Sequence, residues 1–190
     1  MNLMALGFLK DGGLKLRNRL SFDELWMGMC HLLAQRSPCM SRQIGAVIVR
    51  DNILLAMGYN GPPRGIAHCN KRSYSEKYVE EETRKGRCPR QVMGFKSGEG
   101  IQYCPAEHAE RNAIIHATLT GTNLEGSTMY CSCGVCCLEC CKAIIQAGIM
   151  EVVLTKRIPY DDLGMKLLDE AFIDVREFDD IEIKISRSKL

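Results

Sequence analysis

Apolar side chains recur at helical spacing near the beginning of the chain. Leu25, Met29 and Leu32 lie three or four residues apart. This period places them on one face of a helix and predicts a helix over 21–36. Ser21 is suited to cap that helix, because its hydroxyl can accept a hydrogen bond from a free backbone N–H of the first turn.

Two β-rich runs follow the first helix. They occupy 44–49 and 53–59, and Asp51 and Asn52 stand between them. Two short strands joined by a two-residue turn are the pattern of a β-hairpin. A loop is expected directly after the hairpin, at 60–65.

The second half of the chain alternates between helical and β-rich segments. Helices are predicted over 106–119, 138–147 and 160–170, and strands over 129–131, 151–155 and 174–178. Strands separated by helices pair in parallel, with the helices covering the sheet. The predicted fold class is therefore α/β, with three layers in the order α/β/α.

A polar stretch separates the two halves. It covers 68–102, carries 13 charged residues and shows little periodicity, which indicates an insertion rather than core. We therefore expect an N-terminal extension over 1–20, one domain over 21–180 with a cysteine-bearing insertion at about 68–104, and a C-terminal tail over 181–190.

The composition narrows the class of protein. The 190 residues include 25 Lys plus Arg and 23 Asp plus Glu, a net charge of +2, which lacks the bulk positive field of a dedicated duplex-DNA binder. No apolar run approaches the roughly 20 residues that span a bilayer. The apolar start over 1–9 is short and has no basic segment before it, which argues against a signal peptide. We expect a cytoplasmic protein that binds neither membranes nor duplex DNA.

Cysteine is the unusual residue of this chain. There are 11 cysteines, an odd number, and six of them fall within 131–141. A disulfide framework is spread along the chain and usually even in number. Clustered thiols in a reducing compartment indicate metal ligation instead.

Two short motifs carry candidate chemistry. His108-Ala-Glu110 and Cys137-Leu-Glu-Cys140 each precede a predicted helix. Cys137 and Cys140 are three residues apart and can face one point from the first turn of a helix. His108 and Glu110 converge only if their helix approaches that point end-on. Two helices that direct their N-termini at one metal ion satisfy both spacings.

The proposed set has three protein ligands, the number found in catalytic zinc sites. One His and two Cys leave the fourth position of tetrahedral Zn²⁺ open for water. Glu110 beside that water can relay its proton. H-x-E followed by P-C-x-x-C is a known signature of zinc-dependent deaminases, although Cys136 stands here in place of the proline. The alternative is a closed structural site that uses further thiols, chosen from Cys131, Cys133, Cys136 and Cys141.

Five motifs give the chain a family resemblance. They are GAVIV at 45–49, GYNGP at 58–62, HAERNAI at 108–114, CLEC at 137–140 and IIQAGI at 144–149. Over about 22–178 the chain resembles the deoxycytidylate (dCMP) deaminases. The resemblance implies a cytidine-deaminase-like fold, with a five-stranded mixed sheet and helices on both faces. It also implies a hydrolase that converts dCMP to dUMP and ammonia and supplies dUMP for thymidylate synthesis.

Other functions fit parts of the same pattern. A related zinc-dependent deaminase that acts on tRNA adenosine or on a free nucleoside shares the motifs. A zinc-stabilised binding module without catalysis is the alternative from another class, and Glu110 would then be dispensable.

The remaining thiols suggest a second zinc ion. Members of the resembled family hold a structural zinc near the insertion, and Cys39, Cys69, Cys88 and Cys104 frame it here, with His68 as a reserve ligand. The alternative is that some of these cysteines are small buried hydrophobic residues.

A nucleotide substrate requires cationic contacts for its phosphate. The first candidates are Arg42 and Arg64, which lie near predicted strand ends, where ligands of open α/β sheets bind. Lys71, Arg72 and Arg111 are the further candidates.

The resemblance implies three more properties. The loop that holds Asn60 contacts a dCTP or dTTP effector in allosteric relatives, Tyr160 is placed to cover the nucleotide, and the protein is expected to form a homo-oligomer.

Overall fold

The computed structural model describes residues 19–96, 98–134, 136–155 and 162–178. Within these ranges the helices are α1 (Phe22–Ala34), α2 (Lys77–Arg84), α3 (Pro89–Val92), α4 (Ala109–Leu119), α5 (Leu138–Gln146) and α6 (Asp162–Glu170). The strands are β1 (Gly45–Arg50), β2 (Ile53–Tyr59), β3 (Thr128–Cys131), β4 (Glu151–Leu154) and β5 (Asp174–Glu177). None of the described helices is long and apolar enough to cross a membrane.

The five strands form one mixed sheet in the order β2-β1-β3-β4-β5. β1 is antiparallel to both β2 and β3, whereas β3, β4 and β5 run parallel. The predicted hairpin is confirmed, and Asp51 and Asn52 adopt the positive φ angles that a type I′ turn requires. As a result, the carboxyl ends of β2, β3 and β4 meet the beginning of β1 at one edge of the sheet.

Helices cover both faces of the sheet, as predicted. Along β1, Ala46 and Ile48 pack against a core formed with α4, α5 and α6. Val47 and Val49 point to the opposite face and pack with α1. Side chains along a strand alternate between the two faces of the sheet. Because β1 is apolar at successive positions, it must be buried on both faces.

The insertion contains more regular structure than its pattern predicted. α2 and α3 both lie inside 68–102, where no helix was expected. Only Val79 and Thr83 of α2 are buried, so its apolar face is too narrow to produce a clear period. Glu80 pairs with Arg84 four residues later, an arrangement that adds local support to a short, solvated helix.

One predicted helix begins later in the structure, and the start of another lies outside the described residues. α4 begins at Ala109 rather than at 106, with His108 as its N-cap residue. α6 is described from Asp162, and the predicted start of this helix at 160 lies outside the described residues.

A partly buried ionic network links α1 to the sheet. The Arg176 guanidinium on β5 donates to both carboxylate oxygens of Asp23 at 2.7 and 2.9 Å. Its Nε donates to Glu151 on β4 at 2.6 Å, and the Tyr130 hydroxyl donates to Asp23 at 2.5 Å. The hydrogen bonds from Arg176 hold the pKa of Asp23 below its ordinary value of 3.8. The network therefore fixes α1 over β3, β4 and β5.

Replacing Asp23 with Asn should lower the free energy of unfolding by about 1.5–3 kcal/mol at pH 7, the range for hydrogen bonds to charged groups. Because the pKa of Asp23 is depressed in the folded state, its contribution is present above 3.8 and is lost as the pH falls through the lowered pKa. Urea unfolding at several pH values measures both effects.

The matched control is Glu170→Gln, which removes an acid whose ion pair with Lys166 is exposed. It should change stability by less than about 1 kcal/mol at any pH. An Asp23→Asn protein as stable as this control at pH 7 would contradict the role given to the network.

Candidate metal centre and catalytic site

The first turns of α4 and α5 bring three ligand atoms together. His108 is the N-cap residue of α4, Cys137 is the N-cap residue of α5, and Cys140 follows in the first turn of α5. The two sulfur atoms are 3.5 Å apart. The Nδ1 atom of His108 lies 3.3 Å from the Cys137 sulfur and 3.4 Å from the Cys140 sulfur. The end-on approach of two helices, predicted from the spacings, is therefore present.

These separations suit a tetrahedral zinc ion. With Zn–S bonds of about 2.3 Å and Zn–N bonds of about 2.0–2.1 Å, two sulfur ligands lie about 3.8 Å apart and a sulfur and a nitrogen about 3.6 Å apart. The observed distances are shorter by only a few tenths of an ångström. The residues present fit the metal.

Within the trio, the Cys137 thiol ionises easily. Hydrogen bonding with Cys140 and His108 lowers the pKa of the Cys137 thiol to about 4. The same contact with Cys137 raises the pKa of His108. A thiolate at a helix N-terminus is stabilised by the positive end of the helix dipole. Cys137 therefore supplies a thiolate, which is the form of cysteine that ligates a metal ion.

Glu110 lies beside the trio without belonging to it. It is the second residue of α4, and only 3% of its surface is exposed. Burial raises the pKa of its carboxyl to about 7. A carboxyl group that titrates near neutral pH can both accept and return a proton.

A second set of thiols faces Glu110 rather than the trio. Cys131 and Cys133 lie close to Glu110, and their sulfur atoms are 3.1 Å apart. The Cys133 sulfur is 4.0 Å from Oε1 of Glu110. The 3.1 Å spacing is well short of the roughly 3.8 Å that two thiolates on one zinc ion require.

The alternative of a closed structural site is not formed by the described residues. The ligand atoms of His108, Cys137 and Cys140 lie within 4.8 Å of one another. Among the described residues, no fourth ligand atom joins this group. Cys141 instead directs its thiol to the backbone carbonyl of Cys136, at 3.6 Å. The arrangement matches the catalytic count of three protein ligands.

One cysteine that precedes β1 and three cysteines of the insertion gather around one cavity. Cys39, Cys69, Cys88 and Cys104 all line it, together with His68. Burial, with added repulsion from the other three thiols, raises the pKa of Cys69. Among the described residues, no three of these four sulfur atoms lie within 4.8 Å of one another. The cysteines therefore converge on a common space without closing a ligand set.

The cavity at the metal centre contains further predicted residues. His108, Glu110 and Cys137 form part of its wall, and Asn60 and Arg42 also line it. Asn60 is buried, and its side-chain amide accepts from the backbone N–H of Ile44 at 2.9 Å and donates to the backbone carbonyl of Arg42 at 2.8 Å. Its side chain therefore holds the two loops at this edge of the sheet together.

The other cationic candidates lie elsewhere. Arg64 and Lys71 are exposed, and neither they nor Arg72 line this cavity. Arg111 forms an ion pair with Glu107 at 2.5 Å. Tyr160 lies outside the described residues.

One cation of this cavity was not predicted from the sequence. Arg90, on α3 of the insertion, lines the same wall as Arg42 and Glu110. It stands in a polar stretch with many other charged residues and in no recognisable motif, so only the path of the chain reveals its position.

Comparisons with known proteins agree with this geometry. Residues 20–156 match the family model for the cytidine and deoxycytidylate deaminase zinc-binding region. The deoxycytidylate deaminase of Schizosaccharomyces pombe is 36% identical over 163 residues, which are 85% of this chain and 45% of that protein. The deoxycytidylate deaminase of Saccharomyces cerevisiae is 36% identical over 161 residues, which are 84% of this chain and 46% of that protein. The chain thus spans less than half the length of these two curated relatives.

A solved structure supports the fold. The dCMP deaminase of cyanophage S-TIM5, crystallised in complex with dCMP and dUMP, aligns with a TM-score of 0.62 and 23% identity, covering 84% of this chain and 100% of that one. The predicted cytidine-deaminase-like arrangement of a five-stranded mixed sheet is therefore confirmed. Since the family model covers well over half of the chain and includes all three residues of the trio, the chain belongs to the cytidine and deoxycytidylate deaminase family.

Proposed function

We propose that this protein is a zinc-dependent deaminase that hydrolyses dCMP to dUMP and ammonia and so supplies dUMP for thymidylate synthesis. The observation that carries the proposal is the convergence of His108, Cys137 and Cys140 next to a buried carboxyl group, Glu110, in one cavity. Membership of the family and the names of the two yeast relatives support dCMP as the substrate.

In the proposed mechanism, the three ligands hold zinc and Glu110 moves the protons. Zinc held by His108, Cys137 and Cys140 would act as a Lewis acid and make a water molecule a better nucleophile toward C4 of cytosine. Glu110 would accept a proton from the attacking water and donate it to N3 of the base. It would then carry the second proton of that water from the new C4 hydroxyl to the amino group, which leaves as ammonia when the C4–N bond breaks. Its burial and its pKa near 7 suit both transfers.

The two alternative functions differ in what they require of this site. A tRNA adenosine or nucleoside deaminase would use the same metal centre but would not need a phosphate contact. A non-catalytic module would have no use for a carboxyl group buried at the open side of the trio, and Glu110 therefore weighs against it. Regulation by dCTP or dTTP and assembly into a homo-oligomer stay predictions.

We also propose a structural zinc ion held by Cys39, Cys69, Cys88 and Cys104. Their common cavity supports it, because four thiolates around one space are a usual donor set for structural zinc. Such an ion would tie the insertion to the segment before β1, because Cys39 belongs to that segment.

Ammonia release from dCMP, deoxycytidine, dCTP and tRNA, with and without a metal chelator, tests the proposed function. We expect dCMP to exceed deoxycytidine by at least about tenfold in kcat/KM, because losing a charge-assisted contact costs roughly 1.5–3 kcal/mol. Zinc removal should abolish turnover, and zinc addition should restore it. Equal rates with dCMP and deoxycytidine would favour a nucleoside deaminase, and no release from any substrate would favour the binding module.

Replacing Glu110 with Gln should reduce kcat by about 10²–10⁴-fold, the usual contribution of a general acid–base group. Zinc content and thermal stability should stay close to wild type, because Glu110 is not one of the three ligands. Glu170→Gln, a change at an exposed acid on α6, is the matched control and should keep full activity. A Glu110→Gln enzyme that keeps more than half of its activity would contradict the assigned role.

Metal analysis of the purified protein tests the structural zinc ion. The wild type should contain about two zinc ions per chain and Cys88→Ser about one, with a lower Tm. Cys30→Ser is the control, since this buried thiol donates to the backbone carbonyl of Tyr130 and lies outside both clusters. A wild-type content of one zinc ion would refute the second site and leave the catalytic one untouched.

A further inference from the structure

Arg90 reaches the candidate active site from the insertion. Cys88 is the N-cap residue of α3, Pro89 begins the helix and is buried, and Arg90 follows. Its side chain is half-buried and lines the cavity that also contains His108 and Glu110. A residue that is distant in sequence from every catalytic motif therefore forms part of the catalytic cavity.

The hydrogen bonding of Arg90 is incomplete. A guanidinium group carries five N–H donors. One of its terminal nitrogens donates to the backbone carbonyl of Glu99, whereas its Nε is buried and has no hydrogen-bond partner in the described part of the chain. A buried donor without an acceptor is costly. Arg90 lines both this cavity and the neighbouring cavity of the four cysteines, and a ligand oxygen next to its Nε would supply the missing acceptor.

The charges around the cavity favour an anion on this side. Arg42 and Arg90 both line the wall, and neither pairs with a carboxylate among the described residues. The only acidic residue of the described lining is Glu110, which is committed to proton transfer. Two unpaired guanidinium groups beside one buried acid are suited to a phosphate dianion, which arginine binds through its planar fork.

We propose that Arg90 binds the 5′-phosphate of the substrate and makes the enzyme selective for nucleotides over nucleosides. This inference rests on the proposed function, because it concerns the substrate of the same site. Under it, the insertion is a specificity element: the chain between β2 and α4 folds back over the site and delivers the cation that recognises the phosphate. Arg90 is separated from Cys88 by a single residue, so the placement of the insertion cysteines also sets the placement of this arginine.

The test compares kcat/KM for dCMP and deoxycytidine in the wild type, Arg90→Ala, Arg90→Lys and a control, Arg87→Ala. Arg87 belongs to the same insertion but is exposed, pairs with Glu82 at 2.8 Å and does not line the cavity. We expect Arg90→Ala to lower kcat/KM for dCMP by about tenfold to a hundredfold and to leave deoxycytidine within about twofold of wild type. Arg90→Lys should recover part of the loss, and Arg87→Ala should match the wild type.

Product binding gives a readout that does not depend on turnover. By calorimetry, Arg90→Ala should weaken dUMP binding by at least about tenfold and leave deoxyuridine binding unchanged. An equal loss with dCMP and deoxycytidine, or no loss with either, would overturn the inference while leaving a dCMP deaminase in place. A wild type that deaminates both substrates equally well would overturn phosphate recognition altogether, and a wild type that deaminates neither would overturn the proposed function as well.

Discussion

The close packing of α4 on β2 is the contact on which the site depends. A Cβ atom at Gly58 would lie 2.5 Å from backbone atoms of Ala109 and Ala113, so the helix rests directly on the strand. The Asn112 side chain donates to the backbone carbonyl of Tyr59 at 2.8 Å. Gly61 and Glu107 exchange two backbone hydrogen bonds immediately before the helix. The backbone around His108, the N-cap residue of α4, is therefore held on both sides.

The electrostatics of the site follow from this placement. Because α4 and α5 lie on the same face of the sheet and begin at the same edge, their positive dipole ends point toward one place. That field and the neighbouring hydrogen bonds favour the Cys137 thiolate, whereas burial alone would raise its pKa. Glu110 experiences the opposite balance, since burial outweighs the attraction of His108 and keeps its pKa high. One cavity thus contains both a thiol that ionises easily, Cys137, and a carboxyl group that can exchange its proton near neutral pH, Glu110.

The site has a rigid part and a peripheral part. The trio and Glu110 belong to helices whose inner faces are in the core, where they pack with side chains of β1 and β3. The insertion contributes Arg90 and three of the four cysteines around the second cavity. Its helices bury few side chains, so apolar packing contributes little to its position. The proposed metal ligands and Glu110 therefore belong to the packed layers of the fold, whereas Arg90, the proposed phosphate contact, belongs to the insertion.

The sequence by itself determined what depends on near neighbours. The hairpin turn at Asp51 and Asn52 and the alternation of strands and helices follow from local spacing, because one turn of a helix or one β-turn has nearly fixed geometry. The same spacing rules predicted that His108, Cys137 and Cys140 would meet, as they do in the structure. Glu110 could be assigned for the same reason.

Only the tertiary structure decided which side chains from distant parts of the chain lie near the site. It put Arg90 in the cavity and Arg64 outside it, and it turned Cys131 and Cys133 toward Glu110 rather than toward the trio. It also revealed α2, whose narrow buried face gives no clear period. These outcomes depend on where a chain of several tens of residues returns to the core, and no local pattern encodes that path.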